Sequence, residues 1–338
     1  MDTLIAPLSA PSCLGPLPLL VGIVGTGFVA KLRAETLCQD SRTHLVAVAG
    51  HTPEKTQEFS QRFQVKALPT WKELIQRQDI DLVLIATINQ DHGEIVQAAL
   101  KAHKHVVVEY PLSLVPGEAT RLMALAQHQQ KLLHVAHIEL LGGLHQTLRQ
   151  QLPNLGNPFQ ARYITIAPKH PAPPRWSYHP EKFGFPLMGA LSRLHRFIDI
   201  WGEVDKVYCQ TQYWQAEGSE YYQGVWCRAD LQFKQGMRAE VIYGKGEPFW
   251  QAENQFTVYG DQGQLILTPK RGQLIQGQNS QTLAIPSRQG LFAQDTAQII
   301  DHLLMGTPLY VSATASAYTL KVAEAACKSA ETGVVISL

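Results

Sequence analysis

Short apolar runs alternate with helical stretches over residues 20 to 137. The runs LLVGIVG, HLVAVAG, DLVLIAT, HVVVEY and KLLHVAHI have the continuous apolar character of strands that are buried on both faces of a sheet. The stretches between them, such as PEKTQEFSQRF and HGEIVQAALKAH, repeat apolar residues at helical spacing. This alternation predicts an α/β domain whose parallel strands are joined by crossover helices.

After residue 141 the pattern changes. A helix (GGLHQTLRQQL), a strand (PFQARYITIAP) and a proline-rich loop (PKHPAPPRWSYHPEKFGFP) precede a second helical stretch, LMGALSRLHRFIDIWG. The runs KVYCQTQYW, VWCRADLQF, MRAEVIYG, NQFTVYG and GQLILT have glycine-containing turns between several of them, which is typical of an antiparallel sheet. Two closing helices, DTAQIIDHLLMG and ATASAYTLKVAEAACKSAETG, complete the chain.

The length of 338 residues favours two domains. We expect a flexible N-terminal tail at residues 1–19, a cofactor-binding domain at 20–137 and a substrate-binding domain at 138–338 that includes the closing helices. The stretch MDTLIAPLSAPSCLGPLPLL lacks a basic start and holds four prolines, so a tail fits it better than a signal peptide.

Composition excludes several classes of function. The formal net charge of +1 provides no long-range field to attract nucleic acid or an anionic membrane, and no run of 18 apolar residues predicts a membrane span. The five cysteines are scattered without a CxxC pair, which favours a reducing cytoplasm. We predict no metal site, and the sequence leaves open whether the protein is a monomer or a homodimer.

A glycine-rich loop follows the first predicted strand. Gly25 permits a tight turn, Gly27 leaves room for a pyrophosphate, and Ala30 allows the next helix to pack closely on the strand. Because this GxGxxA pattern lies between a strand and a helix, it predicts a Rossmann-type dinucleotide-binding domain rather than an ordinary glycine-rich turn. The predicted cofactor contacts in this loop are Gly25, Thr26, Gly27, Phe28 and Val29.

The end of the second strand bears on the choice between NAD and NADP. Enzymes that use NAD place an acidic residue there against the ribose hydroxyls, but this chain has Gly50, His51 and Thr52. Without a carboxylate a 2′-phosphate is not repelled, and His51, Lys55 or Arg33 could supply positive charge. We therefore predict NADP(H), with the alternative that His51 and Thr52 only cap the next helix.

Four segments carry a family resemblance: the GxGxxA loop, IATINQDH, a strand that ends in Glu-x-Pro, and TLKVAEAACKSAETG. Together they resemble the glucose–fructose oxidoreductase and inositol dehydrogenase (Gfo/Idh/MocA) family. The resemblance implies an α+β C-terminal domain with a large, mainly antiparallel sheet, and a nicotinamide that lies between the two domains. It also implies further cofactor contacts at Thr87, Ile88, Asn89, His92 and Glu109.

The catalytic positions depart from the family pattern. Sugar-oxidising members usually carry Glu-Lys-Pro, and they tend to place an Asp and a His four residues apart on a later helix. Here Tyr110 replaces the lysine, and alignment of LSRLHRFID on Asp199 puts Ser192 and Arg196 in the other two positions, with His195 adjacent. Tyrosine and arginine are poor bases, so the site is predicted to donate hydrogen bonds and not to take a proton from an alcohol.

The Glu-Tyr-Pro variant, KLLHVAHIELLGG, FGFPL and EVIYGKGE resemble a bilin-reducing branch of the family. This resemblance implies NADPH-dependent reduction of biliverdin, a linear tetrapyrrole with two propionates, to bilirubin by hydride transfer to the central methine carbon. Arg193 and Tyr110 are then the expected catalytic residues, and Arg196, Glu109 and His137 the expected substrate contacts. Arginines three residues apart share a helix face and can bind carboxylates.

Two alternatives remain open from the sequence. One is an NADP-dependent sugar or polyol oxidoreductase with an altered acid–base set, and the other is an NADP-binding redox sensor without turnover. The absence of the family's lysine and aspartate is compatible with all three interpretations.

Overall fold

The computed structural model describes residues 18–338, so the predicted tail at residues 1–19 lies almost entirely outside the described residues. The described chain contains two sheets, one of six strands and one of nine. Within this part of the chain no helix is long and apolar enough to cross a membrane, and no group of three or more potential metal ligands occurs.

The first sheet is parallel and has the strand order β3-β2-β1-β4-β5-β6. Its strands are β1 (Leu19–Val24), β2 (Thr43–Ala49), β3 (Lys66–Leu68), β4 (Leu82–Ile85), β5 (His105–Glu109) and β6 (Leu133–Ala136). The helices between them are α1 (Phe28–Gln39), α2 (Pro53–Phe63), α3 (Trp71–Gln76), α4 (His92–Lys101) and α5 (Glu118–His128). The strand order reverses between β1 and β4, and ligands bind at such a switch point in open α/β sheets.

The second sheet has the order β14-β13-β12-β11-β7-β10-β9-β8-β15. Its strands are β7 (Pro158–Pro168), β8 (Val204–Gln215), β9 (Tyr222–Phe233), β10 (Arg238–Gly246), β11 (Glu253–Gly260), β12 (Gln264–Leu267), β13 (Arg271–Gln276), β14 (Asn279–Ala284) and β15 (Ile336–Ser337). The helices of this half are α6 (Gly143–Gln151), α7 (Pro180–Phe183), α8 (Pro186–Gly189), α9 (Ser192–Trp201), α10 (Leu291–Met305) and α11 (Ala313–Thr332).

The large sheet is mainly antiparallel, as the sequence implied, with one exception at its centre. There β7 and β10 run parallel, so that Thr165 pairs with Tyr243. Helix α9 packs on the inner face of this sheet, where Phe197 stacks near Phe256 with ring centroids 4.8 Å apart. The fold class is therefore the predicted one, a Rossmann-type domain followed by an α+β domain.

Helix α10 returns to the first domain. Its apolar residues Ile299, Ile300 and Leu303 belong to the same buried cluster as Ile23 of β1 and Leu37 of α1. A helix from the end of the chain therefore packs on the helix that follows the glycine-rich loop. This packing brings α10 side chains close to the carboxyl edge of the parallel sheet.

Candidate active site

The glycine-rich loop has the geometry that a bound pyrophosphate requires. Gly25 has φ +125°, and a Cβ atom there would lie 2.2 Å from the carbonyl oxygen of Ala86, so only glycine fits. At Gly27, the N-cap residue just before α1, no other atom lies within 4 Å of the position of a Cβ atom. Ala30 is completely buried against the strand. The amide groups at the start of α1 therefore face open space that is suited to an anion.

A cavity of about 350 Å³ adjoins this loop at the carboxyl edge of the parallel sheet. Its lining comprises Val24, Gly50, His51, Pro69, Thr70, Trp71, Lys72, Thr87 and Ile95. Its position fits the adenosine half of a dinucleotide. Sequence reasoning found Gly50, His51 and Thr87 but missed Trp71 and Lys72. The feature that could have identified them is the start of helix α3 shortly after β3, at the same edge of the sheet.

The positive charges near this cavity differ from those that the sequence suggested. Arg33 is fully buried and bound to carboxylates, so the expectation that it could reach a 2′-phosphate is wrong. His51 Nε2 lies 2.7 Å from the Asp91 carboxylate, which offsets the charge that a protonated imidazole would offer. Lys72, which is 4.0 Å from Glu94 and two-thirds exposed, is a more accessible cation at the cavity wall.

The cofactor contacts predicted after β4 are largely engaged with the protein itself. Asn89 is buried and its Nδ2 atom donates to the carbonyl oxygen of Phe183 at 2.9 Å. His92 Nδ1 lies 2.7 Å from the carbonyl oxygen of Pro111, and burial lowers the pKa of this imidazole. Both side chains therefore fix the local backbone. Thr87 lines the adenosine-side cavity, and Ile88 adjoins it in the chain.

Glu109 ends β5 and points into a cluster of ionic groups. One of its carboxylate oxygens, Oε1, accepts hydrogen bonds from Arg33 at 2.7 and 3.1 Å. Arg33 also forms a buried ion pair with Asp295 of α10, and Asp295 accepts from His134 Nε2 at 3.0 Å and from the Tyr310 hydroxyl at 2.7 Å. Burial raises the pKa of Glu109, and the nearby Arg33 opposes this shift.

Tyr110, the next residue, faces a different environment. Its hydroxyl donates to Ser192 Oγ at 3.2 Å, and the Arg193 guanidinium donates to the same oxygen at 2.8 Å. Arg193 also lies 3.4 Å from Thr165 Oγ1 and sits over the Tyr243 ring at 5.7 Å. Among the described residues no carboxylate pairs with Arg193, so its charge remains available to a ligand.

Two neutral histidines stack behind Tyr110. The His137 ring lies parallel to the Tyr110 ring with centroids 5.4 Å apart, and His195 stacks on its other side at 4.0 Å. Burial and the adjacent imidazoles hold the pKa of His137 well below its usual value, and burial lowers the pKa of His195 to about 4. His137 Nε2 binds Ser316 Oγ at 2.8 Å, so the ring supports Tyr110 more directly than it faces open space.

Arg196 lies one turn along α9 from Ser192 and is paired within the protein. Its guanidinium donates to the Glu139 carboxylate at 2.7 Å, and Arg288 pairs with the same carboxylate. Together with Arg193 these residues line a cavity of about 110 Å³. A substrate carboxylate that binds Arg196 must therefore share it with Glu139, whereas Arg193 has no such competitor. Arg288 was not anticipated from the sequence, because it lies about 90 residues from α9.

The side chains around Tyr110 can donate protons or hydrogen bonds but offer no strong base. The hydroxyls and guanidinium are donors, and the two nearby imidazoles are buried and neutral. The nearest carboxylate along the chain, Glu109, is bound to Arg33. This arrangement suits the delivery of a hydride to an electron-poor acceptor more than the oxidation of an alcohol.

The class of protein follows from family comparison. Residues 19–137 match the "oxidoreductase family, NAD-binding Rossmann fold" model, and residues 150–338 match the family's "C-terminal alpha/beta domain" model. The chain therefore belongs to the Gfo/Idh/MocA oxidoreductase family.

Among individual proteins, the chain is similar to biliverdin reductase of Synechocystis sp. PCC 6803, whose crystal structure contains biliverdin and NADP+. The two share 49% identity with a TM-score of 0.91 over 93% of this chain and 99% of that one. Mouse biliverdin reductase A is 26% identical over 55% of this chain and 59% of that protein. A dTDP-3,4-didehydro-2,6-dideoxy-alpha-D-glucose 3-reductase of Saccharopolyspora spinosa is 32% identical over 40% of this chain and 41% of that protein. The chain thus spans about half the length of these two relatives.

Proposed function

We propose that this protein is an NADPH-dependent biliverdin reductase that forms bilirubin by hydride transfer to the central methine carbon. The observation that carries the proposal is the 49% identity, over nearly the whole chain, to a protein whose structure holds biliverdin and NADP+. The donor-only chemistry around Tyr110 supports it independently, because a conjugated tetrapyrrole is an electron-poor acceptor that needs no base.

The first domain fits the cofactor. The residues from Gly25 to Val29 bind the pyrophosphate, and the cavity beside Gly50 takes the adenosine, with Lys72 as a cation for the 2′-phosphate. Bound NADPH supplies the hydride. Asn89 and His92 shape the adjoining backbone instead of contributing their side-chain polar atoms.

Arg193 is the principal catalytic residue in this proposal. A pyrrole nitrogen must gain a proton as the hydride arrives, and Arg193 polarises that nitrogen or relays a proton to it through water, since guanidinium itself is a very weak acid. Ser192 holds the guanidinium and the Tyr110 hydroxyl together. Arg196, with Arg288 nearby, supplies positive charge for a propionate.

The proposal is tested by mixing the purified protein with biliverdin and NADPH and following absorbance. Loss of the long-wavelength biliverdin band with growth of a bilirubin band is expected, and NADPH is expected to exceed NADH in kcat/KM. Oxidation of inositol or glucose without any change in biliverdin would instead indicate a sugar oxidoreductase. Binding of NADPH with no turnover of either substrate class would indicate a redox sensor.

A further inference from the structure

Lys245 of β10 is a buried cation in an aromatic enclosure. It is 7% exposed, and its Nζ atom lies 3.6 Å from the ring centroid of Phe183 and 4.8 Å from that of Tyr178. The rings of Tyr222 and Tyr243 are within 6 Å, at 5.3 and 5.9 Å. Among the described residues no carboxylate pairs with this ammonium. Attraction to several desolvated ring faces offsets part of the cost of its burial.

The enclosure joins two parts of the protein. Tyr222, Tyr243 and Lys245 belong to the large sheet, whereas Tyr178 and Phe183 belong to residues 173–189, which we call the bridging segment. The Lys245 ammonium also donates to the carbonyl oxygen of Ser177 in this segment. The enclosure is therefore complete only when the bridging segment lies against the sheet.

The other side of the bridging segment contacts the cofactor domain. Asn89, in the segment after β4, donates to the carbonyl oxygen of Phe183 at 2.9 Å. At Gly184, which has φ +83°, a Cβ atom would lie 2.4 Å from a Leu114 side-chain methyl, so the two segments of the chain are in close contact. Phe183 thus binds the cofactor side through its backbone and Lys245 through its ring.

The bridging segment leads directly into α9, whose first residues are Ser192 and Arg193. The position of these two residues depends on where the preceding backbone is held. Arg193 and Lys245 also flank the same Tyr243 ring, at 5.7 and 5.9 Å from its centroid. A substitution at Lys245 can therefore shift Arg193 indirectly, through the Tyr243 ring and the bridging segment.

We propose that Lys245 is a positioning residue: its ring-enclosed ammonium holds the bridging segment against the large sheet and so fixes the start of α9, where Arg193 lies. Burial works against this charge: together with the nearby charges of Arg175 and Arg193, it lowers the pKa of Lys245 to about 7.

The test compares Lys245→Met with Lys245→Arg. Methionine fills a similar volume without charge, and the Ser177 carbonyl keeps its 2.9 Å hydrogen bond from the Tyr222 hydroxyl, so the variant removes mainly the cation. Arginine restores a cation that stacks on aromatic rings. Lys169→Met, at an exposed lysine just before the bridging segment, is the matched control.

Two readouts are measured for each variant: kcat and KM with biliverdin and NADPH, and the rate of trypsin cleavage after Arg175 and Lys182 in the bridging segment, followed by mass spectrometry. We expect Lys245→Met to lower kcat/KM about tenfold and to accelerate cleavage by a similar factor, which corresponds to the loss of a desolvated cation–π contact. Lys245→Arg is expected to recover most of the kcat/KM and most of the resistance to cleavage. Lys169→Met is expected to match the unmodified protein in both readouts.

The proposal is overturned if Lys245→Met leaves cleavage unchanged, or if Lys245→Arg and Lys245→Met lose activity equally with no difference in cleavage. The kinetic readout rests on the proposed bilin reduction, whereas the cleavage readout needs no substrate. If the unmodified protein fails to reduce biliverdin, the proposed function fails, and the cleavage comparison still decides the role of Lys245.

Discussion

Glu109 and Tyr110 are consecutive residues, but they enter two opposite electrostatic environments. Glu109 joins a cluster in which each carboxylate has a buried cationic partner, because Arg33 lies between Glu109 and Asp295, and Asp295 also binds His134 and Tyr310. Tyr110 joins a set of hydroxyls and neutral rings beside Arg193, which has no acidic partner among the described residues. The comparison suggests that the first cluster holds the domains together and that the second is free to act on a ligand.

The strongest test of this division removes Arg33, the cation of the Glu109 cluster. Arg33→Met leaves the carboxylates of Glu109 and Asp295 buried without their partner, and we expect a loss of about 3–5 kcal/mol in the free energy of unfolding. Urea denaturation measures this loss. Arg62→Met, which removes a half-exposed partner of Glu35, is the control and should cost less than about 1 kcal/mol. Similar losses in both variants would contradict the structural role of the Glu109 cluster.

The next largest effect concerns Arg193, the cation beside Tyr110 that has no acidic partner among the described residues. Arg193→Ala should lower kcat for biliverdin about 100-fold, because it removes the group that we propose assists protonation of the pyrrole. Its stability should change little, since no buried carboxylate loses a partner. Arg149→Ala, at an exposed arginine that pairs with Asp199, is the control and should stay within about twofold. A kcat for Arg193→Ala close to the control value would remove Arg193 from the mechanism.

Acidification should destabilise the protein, because two histidines are held in the neutral form: His195, in the set beside Tyr110, and His105, which begins β5 and lies outside both sets. The pKa values of His105 and His195 are lowered by burial to about 4, from an unfolded value near 6.5. The unfolded chain therefore binds more protons between these values, so stability is lost as pH falls from about 6.5 to about 4, by on the order of 3 kcal/mol for each histidine. Urea midpoints at pH 7.5, 6, 5 and 4 measure it. A stability that is constant over this range would show that neither histidine is held neutral.

The smallest expected effect is that of the Tyr110 hydroxyl. Tyr110→Phe removes one hydrogen bond to Ser192 but keeps the ring that stacks on His137, so kcat should fall only about fivefold. Steady-state kinetics of Tyr110→Phe and Arg193→Ala, measured side by side, shows which substitution lowers kcat more. Equal losses of kcat in the two variants would mean that the hydroxyl and the guanidinium share one role. That result would contradict the larger catalytic role proposed for Arg193.

Local patterns were sufficient to predict most of the first domain. The glycine at position 25 is set by its backbone conformation and by close approach to Ala86, which a short motif encodes directly. Apolar runs gave four of the parallel strands from β1 to β5. The short strand β3 was missed because three residues carry too little pattern, and β14 was missed because five of its six residues are exposed, so it shows no alternation.

The partners of the charged residues could not be predicted in the same way. Arg33 binds Asp295, which is 262 residues away in the chain, and nothing in the spacing of either segment indicates that contact. For the same reason the pairing of Arg196 with Glu139 was not foreseen, although the position of Arg196 on the face of α9 was. The site residues themselves remain predictions, and the variants above test them.

The parallel pairing of β7 with β10 has a consequence for how the chain reaches this structure. β7 is made first but is hydrogen-bonded to β10 and β11, about 80 to 100 residues later, whereas β8, β9 and β10 are neighbours in both sequence and sheet. Contacts between distant segments form late because closing the intervening loop costs entropy. We expect the β8–β10 meander to assemble first and β7 to insert afterwards, which pulse-labelled amide exchange during refolding would detect as delayed protection of β7. The nine-stranded sheet would then be completed at its centre rather than at its edges.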